Sequence, residues 1–259
     1  QAQPGLSLVL VAALVVWGFR LYEKGHPIRR PIVLSGVFII VEALLGAGLV
    51  LFELVAHNDS IARAISMPLH LVNTFLLLSV LAFTAWWASD FPNVRLRGQG
   101  WLGAGWWVAL AGVLILGMTG AVTALGDTLF PSVSLVEGFR ADSSPTAHFL
   151  VRFRVWHPFI AVGTGLFIVL LSRVIAARRP SLRTQRLAYA QMTLFVVQII
   201  AGAFNVALLA PVWMQLVHLG LAVSVWITLV LLGASAFAEE PETSKAVAKP
   251  VMADRPARP

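Results

Sequence analysis

Apolar residues in this chain come in long, nearly uninterrupted blocks, with the charged residues gathered between them. "GVFIIVEALLGAGLVLFELV" at 36–55 and "PVWMQLVHLGLAVSVW" at 211–226 show the pattern. A hydrocarbon core of ~30 Å takes ~20 such residues as a helix. Seven blocks reach that length or nearly so: 5–22, 31–55, 66–89, 101–125, 150–173, 186–209 and 212–236. The pattern therefore predicts seven transmembrane helices. The first is the shortest and reads as incomplete. The last two are joined by the tight "LAPVW" turn, which predicts a hairpin.

Composition supports the membrane reading. Of 259 residues, 58% are hydrophobic and only 12% charged, with a mean hydropathy of +0.83. A soluble domain of this size has too much surface to hide that many apolar side chains. The net charge of +7 marks loops facing the cytoplasm rather than a nucleic-acid partner, since no basic stripe with interleaved aromatics is present. Fifteen of the 19 Lys and Arg residues fall on one side of the predicted spans. The other four, Arg63, Arg140, Arg152 and Arg154, fall on the opposite side. By the positive-inside rule the N-terminus lies outside and the C-terminus in the cytoplasm, in a bacterial-type inner membrane. The absence of cysteine rules out disulfides, thiolate metal sites and cysteine nucleophiles. "QAQPGL" lacks an initiator Met and a basic region, so it reads as a chain starting partway rather than as a signal peptide. The charged, Pro/Ala-rich stretch 238–259 is expected to be a disordered tail.

Three of the six histidines sit inside apolar blocks: His70, His157 and His218. Each lies near the start of a block that runs from outside to inside, so all three share a depth below the outer surface. His26, His57 and His148 fall in loops and read as interfacial residues. A lone intramembrane histidine is usually an interhelical hydrogen-bonding residue. Three at one depth on separate helices point instead to axial ligands of haem iron, one per helix. Zinc or di-iron sites are disfavoured because no second His or carboxylate stands three or four residues from any of them. Arg154 and Arg152 precede His157 by three and five residues, and Arg63 precedes His70 by seven. Two readings of these arginines stand: binding haem propionates with paired hydrogen bonds, or anchoring helix ends at the interface.

The chain also repeats itself. "EALLGAGLV" from Glu42 and "QIIAGAFNV" from Gln198 share the pattern (E/Q)-x-x-x-G-A-x-x-V. Each is followed in the next block by a His-Leu pair, His70-Leu71 and His218-Leu219. Small residues let helices approach closely in lipid. A duplicated four-helix bundle is predicted, with one haem site per half. The N-terminal half (1–98) has three spans and one candidate ligand, and the C-terminal half (99–237) has four spans and two. Glu42 falls near mid-membrane, as a polar relay or as a hydrogen-bonding link between helices; its counterpart Gln198 suits the second role.

With these motifs in view, the chain resembles the haem A synthase family. The resemblance is carried by "EALLGAGLV" with "PLHLVNTFLLL", by "TGAVTALGDTLFP" at 119–131, and by "SPTAHFLVRFRVWHP" at 144–158. It is completed by "QIIAGAFNVALLAPVWMQLVHLGLAVSVW" at 198–226, and it covers nearly all of 31–236. The resemblance implies two four-helix halves with paired histidines near the outer surface. It implies that His157 and His218 ligate a haem b, and that His70 belongs to the half that takes haem O as substrate. It implies an oxidoreductase that turns a methyl group of haem O into the formyl group of haem A for cytochrome oxidase. Its partners would be membrane lipid, a haem O synthase and cytochrome oxidase subunits. Two departures stand out. The family's first span is absent, and so is its Glu-x-x-His motif, which is expected upstream of Gln1 together with the catalytic glutamate. The alternative is a non-catalytic membrane b-type cytochrome or haem-binding assembly subunit.

Overall fold

The computed structural model describes residues 3–239. Apart from one isolated bridge, Val94 with Ala238, the described residues form helices and loops. They are α1 (Gln3–Leu21), α2 (Arg29–Leu51), α3 (Ile61–Ala88), α4 (Gly100–Leu129) and α5 (Leu135–Ser143). After these come α6 (Phe149–Phe153), α7 (Trp156–Arg178), α8 (Leu182–Ala207) and α9 (Val212–Ala236). Six helical stretches are long and apolar enough to cross a membrane: α2, α3, α4, the α6–α7 stretch, α8 and α9. α1 contributes a shorter apolar helix, Gly5–Leu21. The chain is an all-helical integral membrane protein. Even in α9, the best covered, only 33% of the span is buried within the protein. Leu6, Trp17, Phe159, Leu166, Phe204 and Leu216 all point outward. Such a surface belongs against acyl chains, not water.

α4, α7, α8 and α9 pack as a closed ring, each against its neighbours. α1, α2 and α3 pack in sequence order, and α3 docks this layer onto α4 and α9. The main core lies inside the ring and along its seam with α3, around Phe75, Trp106, Ile168, Phe195, Trp226 and Leu229. Trp106 donates its indole N–H to the Leu229 carbonyl at 2.9 Å, so this large ring is buried without an unmet donor.

The hairpins α2–α3 and α8–α9 turn by the same means. Glu53 and Leu209 follow the helix ends with φ of 55° and 60°. One residue on, Leu54 N–H reaches Leu49 O at 2.8 Å and Ala210 N–H reaches Asn205 O at 2.7 Å. That is the six-to-one closure by which helices satisfy their last carbonyls through a left-handed residue. Pro211 then caps α9, while Ser60 caps α3 through the Arg63 N–H. The serine satisfies one first-turn donor of α3, and the extended backbone of Pro211 sets the start of α9.

Helices cover all seven predicted blocks, but only six are long and apolar enough to span, and three further differences stand out. α3 begins at Ile61, earlier than residue 66, because Ser60 supplies a cap there. The block 150–173 is divided: α6 ends at Phe153 and α7 restarts at Trp156. α5 has no counterpart among the predicted blocks, because its nine residues form a short surface helix with too little apolar character to stand out. Residue 98 falls in the loop between α3 and α4. At the expected tail, Ala238 and Glu239 pair with 93–95. Residues 240–259 lie outside the described residues.

Candidate functional site

His157 and His218 come together. Their rings are 6.4 Å apart between centroids, at 77°. His157 stands in the first turn of α7, before Pro158, whose missing N–H costs nothing at that place. His218 stands in the second turn of α9. Each ring lies against a glycine. A Cβ at Gly120 would meet His157 Cε1 at 3.0 Å, and one at Gly202 would meet His218 Cε1 at 3.1 Å. Both imidazoles therefore occupy room that any larger residue would close.

The hydrogen bonds set the His157 ring. Thr119 Oγ1 donates its single proton to Leu116 O at 3.0 Å, and the same oxygen lies 3.2 Å from His157 Nδ1. Having spent its proton, the hydroxyl accepts there. In that arrangement His157 carries its proton on Nδ1 and Nε2 keeps a free lone pair, the form that binds a metal. His218 Nε2 lies 3.2 Å from Gln198 Nε2 on α8. His218 Nδ1 and Gln198 Oε1 are buried without a partner. Buried polar atoms without partners are uncommon, and here two of them fall on the contacting residues His218 and Gln198.

The spacing of the rings can be compared with that of two imidazoles on one metal. Two metal–imidazole bonds of about 2 Å with ring radii of about 1 Å span roughly 6 Å between centroids, close to the separation seen. Among the described residues no three His, Cys, Asp or Glu side chains gather into a metal site. The donor set is thus an imidazole pair, which suits a cofactor that brings its own in-plane ligands.

His70 stands apart from this pair, on α3, against α2. A Cβ at Gly46 would meet His70 Cε1 at 3.8 Å. Glu42 Oε1 lies 3.7 Å from His70 Nδ1, which is buried without a hydrogen-bond partner. The Glu42 carboxylate is itself held. Asn73 Nδ2 donates to Oε2 and Thr74 Oγ1 to Oε1, each at 2.5 Å. Glu42 and Gly46 thus both lie beside His70, as Gln198 and Gly202 lie beside His218, though Glu42 faces Nδ1 and Gln198 faces Nε2.

The arginines are engaged elsewhere. Arg154 forms ion pairs of 2.9 Å with Asp127 on α4 and with Asp142 on α5, and only 10% of its side chain is exposed. Both Arg154 and His157 lie against α4, Arg154 near Gly126 and His157 near Gly120. Arg63 donates to the carbonyls of Ala56 and Asn58 at 2.6 and 2.8 Å, closing the α2–α3 loop. Arg152 is exposed. His148 caps α6 and lies 3.6 Å from Asp59. Sequence reasoning does not single out Thr119, Gly120, Asn73 or Thr74. The Thr-Gly pair opening "TGAVTALGDTLFP" is the available signal for the first two.

Fold and site together define a helical membrane protein with an imidazole pair inside one four-helix ring and a carboxylate–histidine contact beside it. The chain belongs to the COX15-CtaA family of cytochrome oxidase assembly proteins, matching it over residues 4–230. It is 49% identical over 236 residues to a protein of one Thermus thermophilus strain named protoheme IX farnesyltransferase. It is 48% identical to the protein of the same name from a second strain of that species. These matches cover 91% of this chain but only 39% of each relative. No solved structure matches.

Proposed function

We propose that this chain carries the haem-oxidising part of haem A formation: conversion of a methyl group of haem O to a formyl group, for cytochrome oxidase. The observation that carries this reading is the His157–His218 pair, with a second histidine site in the other half built on the same pattern. His157 and His218 would hold a haem b, and His70 would face the substrate haem O. When bound, the haem b would deliver electrons one at a time. The chain's own residues do the rest: Thr119 fixes the His157 tautomer, Gly120 and Gly202 keep the ring positions open, and Gln198 steadies His218.

The shared turn geometry, the matched Gly46–His70 and Gly202–His218 contacts and the seven apolar helices support two halves of one ancestral bundle. The distribution of Lys and Arg supports an N-terminus outside and a C-terminus in the cytoplasm.

The relatives' name describes farnesyl transfer to protohaem. We read the matched 39% of those longer chains as the oxidising part, with farnesylation carried by the rest of their length. Farnesylation makes the substrate that oxidation consumes, so the two steps are consecutive. Carboxylates with cation-binding spacing would favour the transferase reading for this segment. Instead, the convergent pair Asp127 and Asp142 is taken up by Arg154.

Pigment extraction after co-expression with a haem O source tests the proposal. Haem b together with hydroxylated or formylated haem O is expected. His157→Ala and His218→Ala should each abolish the haem b absorption. Haem b alone, with haem O unchanged, would leave a non-catalytic b-type cytochrome. A colourless protein would overturn both.

A further inference from the structure

The two histidine sites share a helix pattern but differ in the group beside the imidazole and in the ring nitrogen that it faces. Gln198 puts a neutral amide beside His218, at 3.2 Å from its Nε2. At the matching sequence position in the other pattern stands the carboxylate of Glu42, which faces the other ring nitrogen, 3.7 Å from His70 Nδ1. That carboxylate is fixed in place. Asn73 Nδ2 is anchored to Phe38 O at 3.0 Å and can only donate to Glu42. Thr74, four residues after His70, holds the other oxygen. The imidazole nitrogen facing Glu42 is buried and has no other partner. A carboxylate behind a metal-bound imidazole makes the ring a stronger electron donor, and a stronger donor stabilises the more oxidised metal. A neutral amide does this far less.

We infer that Glu42 is a positioning residue that sets the potential of the iron bound through His70 below that of the iron held by His157 and His218. This rests on the reading of His70 as a haem ligand. The Glu/Gln difference then divides the labour. The half with Gln198 passes electrons, and the half with Glu42 favours the oxidised iron on which substrate chemistry depends. The contact with Asn73 and Thr74 also ties α2 to α3, so a purely structural role for Glu42 has to be separated from an electronic one.

Redox titration of the full chain loaded with protohaem, followed in the Soret band, makes the separation. Two haems with two midpoint potentials are expected. Glu42→Gln keeps a side chain of the same shape between Asn73 and Thr74, so the melting temperature should hold. The lower potential should move up toward the higher one. Gln198→Glu should move the higher potential down and leave the other in place. Glu42→Ala serves as the packing control: it should lower the melting temperature as well as raise the potential. If only one haem binds, His70 is no ligand, and both the reading and this inference fall. If two haems bind and Glu42→Gln leaves both potentials where they were, His70 stands as a ligand and the role of Glu42 is refuted.

Discussion

At the scale of single residues, the site is set by what is small as much as by what is polar. Histidines in apolar runs stand out in a sequence because each has to be satisfied away from water. Glu42 and Gln198 stand out for the same reason, and the structure puts each beside the histidine of the following helix. Thr119 and Gly120 do not, since a threonine and a glycine in a membrane helix are ordinary packing residues. Arg154 is legible as a buried-end charge but not as a clamp, because its partners lie 12 and 27 residues away in sequence. The glycines give a direct test. Gly202→Val would place methyl groups where the His218 ring lies, and Gly120→Val would do the same to His157. Overpacking of this kind costs about 1–3 kcal/mol and is relieved by moving the imidazole. Both variants should reach the membrane folded yet lose most haem b absorption. Gly163→Val, where a Cβ meets nothing within 4 Å, should keep its haem. Normal spectra in all three would remove the glycines from the site.

At the scale of elements, the spans are readable because block hydropathy reports lipid exposure directly, and most of each span does face outward. The caps explain the shifted boundaries: Ser60 starts α3 early, and a left-handed residue ends α2 and α8. The turn between α6 and α7 is hidden, since apolar residues continue through it and Arg154 and Val155 keep helical dihedrals. α5 is hidden for the opposite reason. It lies between the end of α4 and the start of α6, is tied to the bundle through Asp142 and Arg154, and leaves Val136 and Phe139 exposed. The proposed orientation puts α5 outside the membrane. Because the chain has no cysteine, single introduced thiols report the side on which a loop lies. Ser144→Cys, just after α5, should react with a membrane-impermeant maleimide in intact spheroplasts. Arg97→Cys, between α3 and α4, should react only after lysis. The reverse pattern would invert the topology.

At the scale of the molecule, the question is what couples the α1–α3 layer to the four-helix ring. α3 touches α4 and α9, and the buried centre of that seam is Trp226 on α9. Its ring stacks on Phe75 of α3 at 5.1 Å between centroids. Its indole N–H is shared between Phe75 O at 2.6 Å and Ser79 Oγ at 3.0 Å. In lipid there is little hydrophobic drive between helices, so tight packing and interhelical hydrogen bonds carry the association. Trp226 supplies both, one helix away from each histidine site: it shares α9 with His218, and its partner Phe75 shares α3 with His70. Trp226→Phe keeps the stack and loses the donor, which should cost about 1 kcal/mol. Trp226→Ala empties the seam and should cost about 3 kcal/mol, the lower end of the range for large core truncations, since lipid rather than water is the competing surroundings. The smaller change should lower a single calorimetric transition in detergent micelles without dividing it. The larger one should split the transition in two, with the imidazole pair and its spectrum surviving in the later-melting part, because the closed ring of α4, α7, α8 and α9 keeps its own contacts. One unchanged transition for Trp226→Ala would mean that the layer and the ring are joined elsewhere along α3.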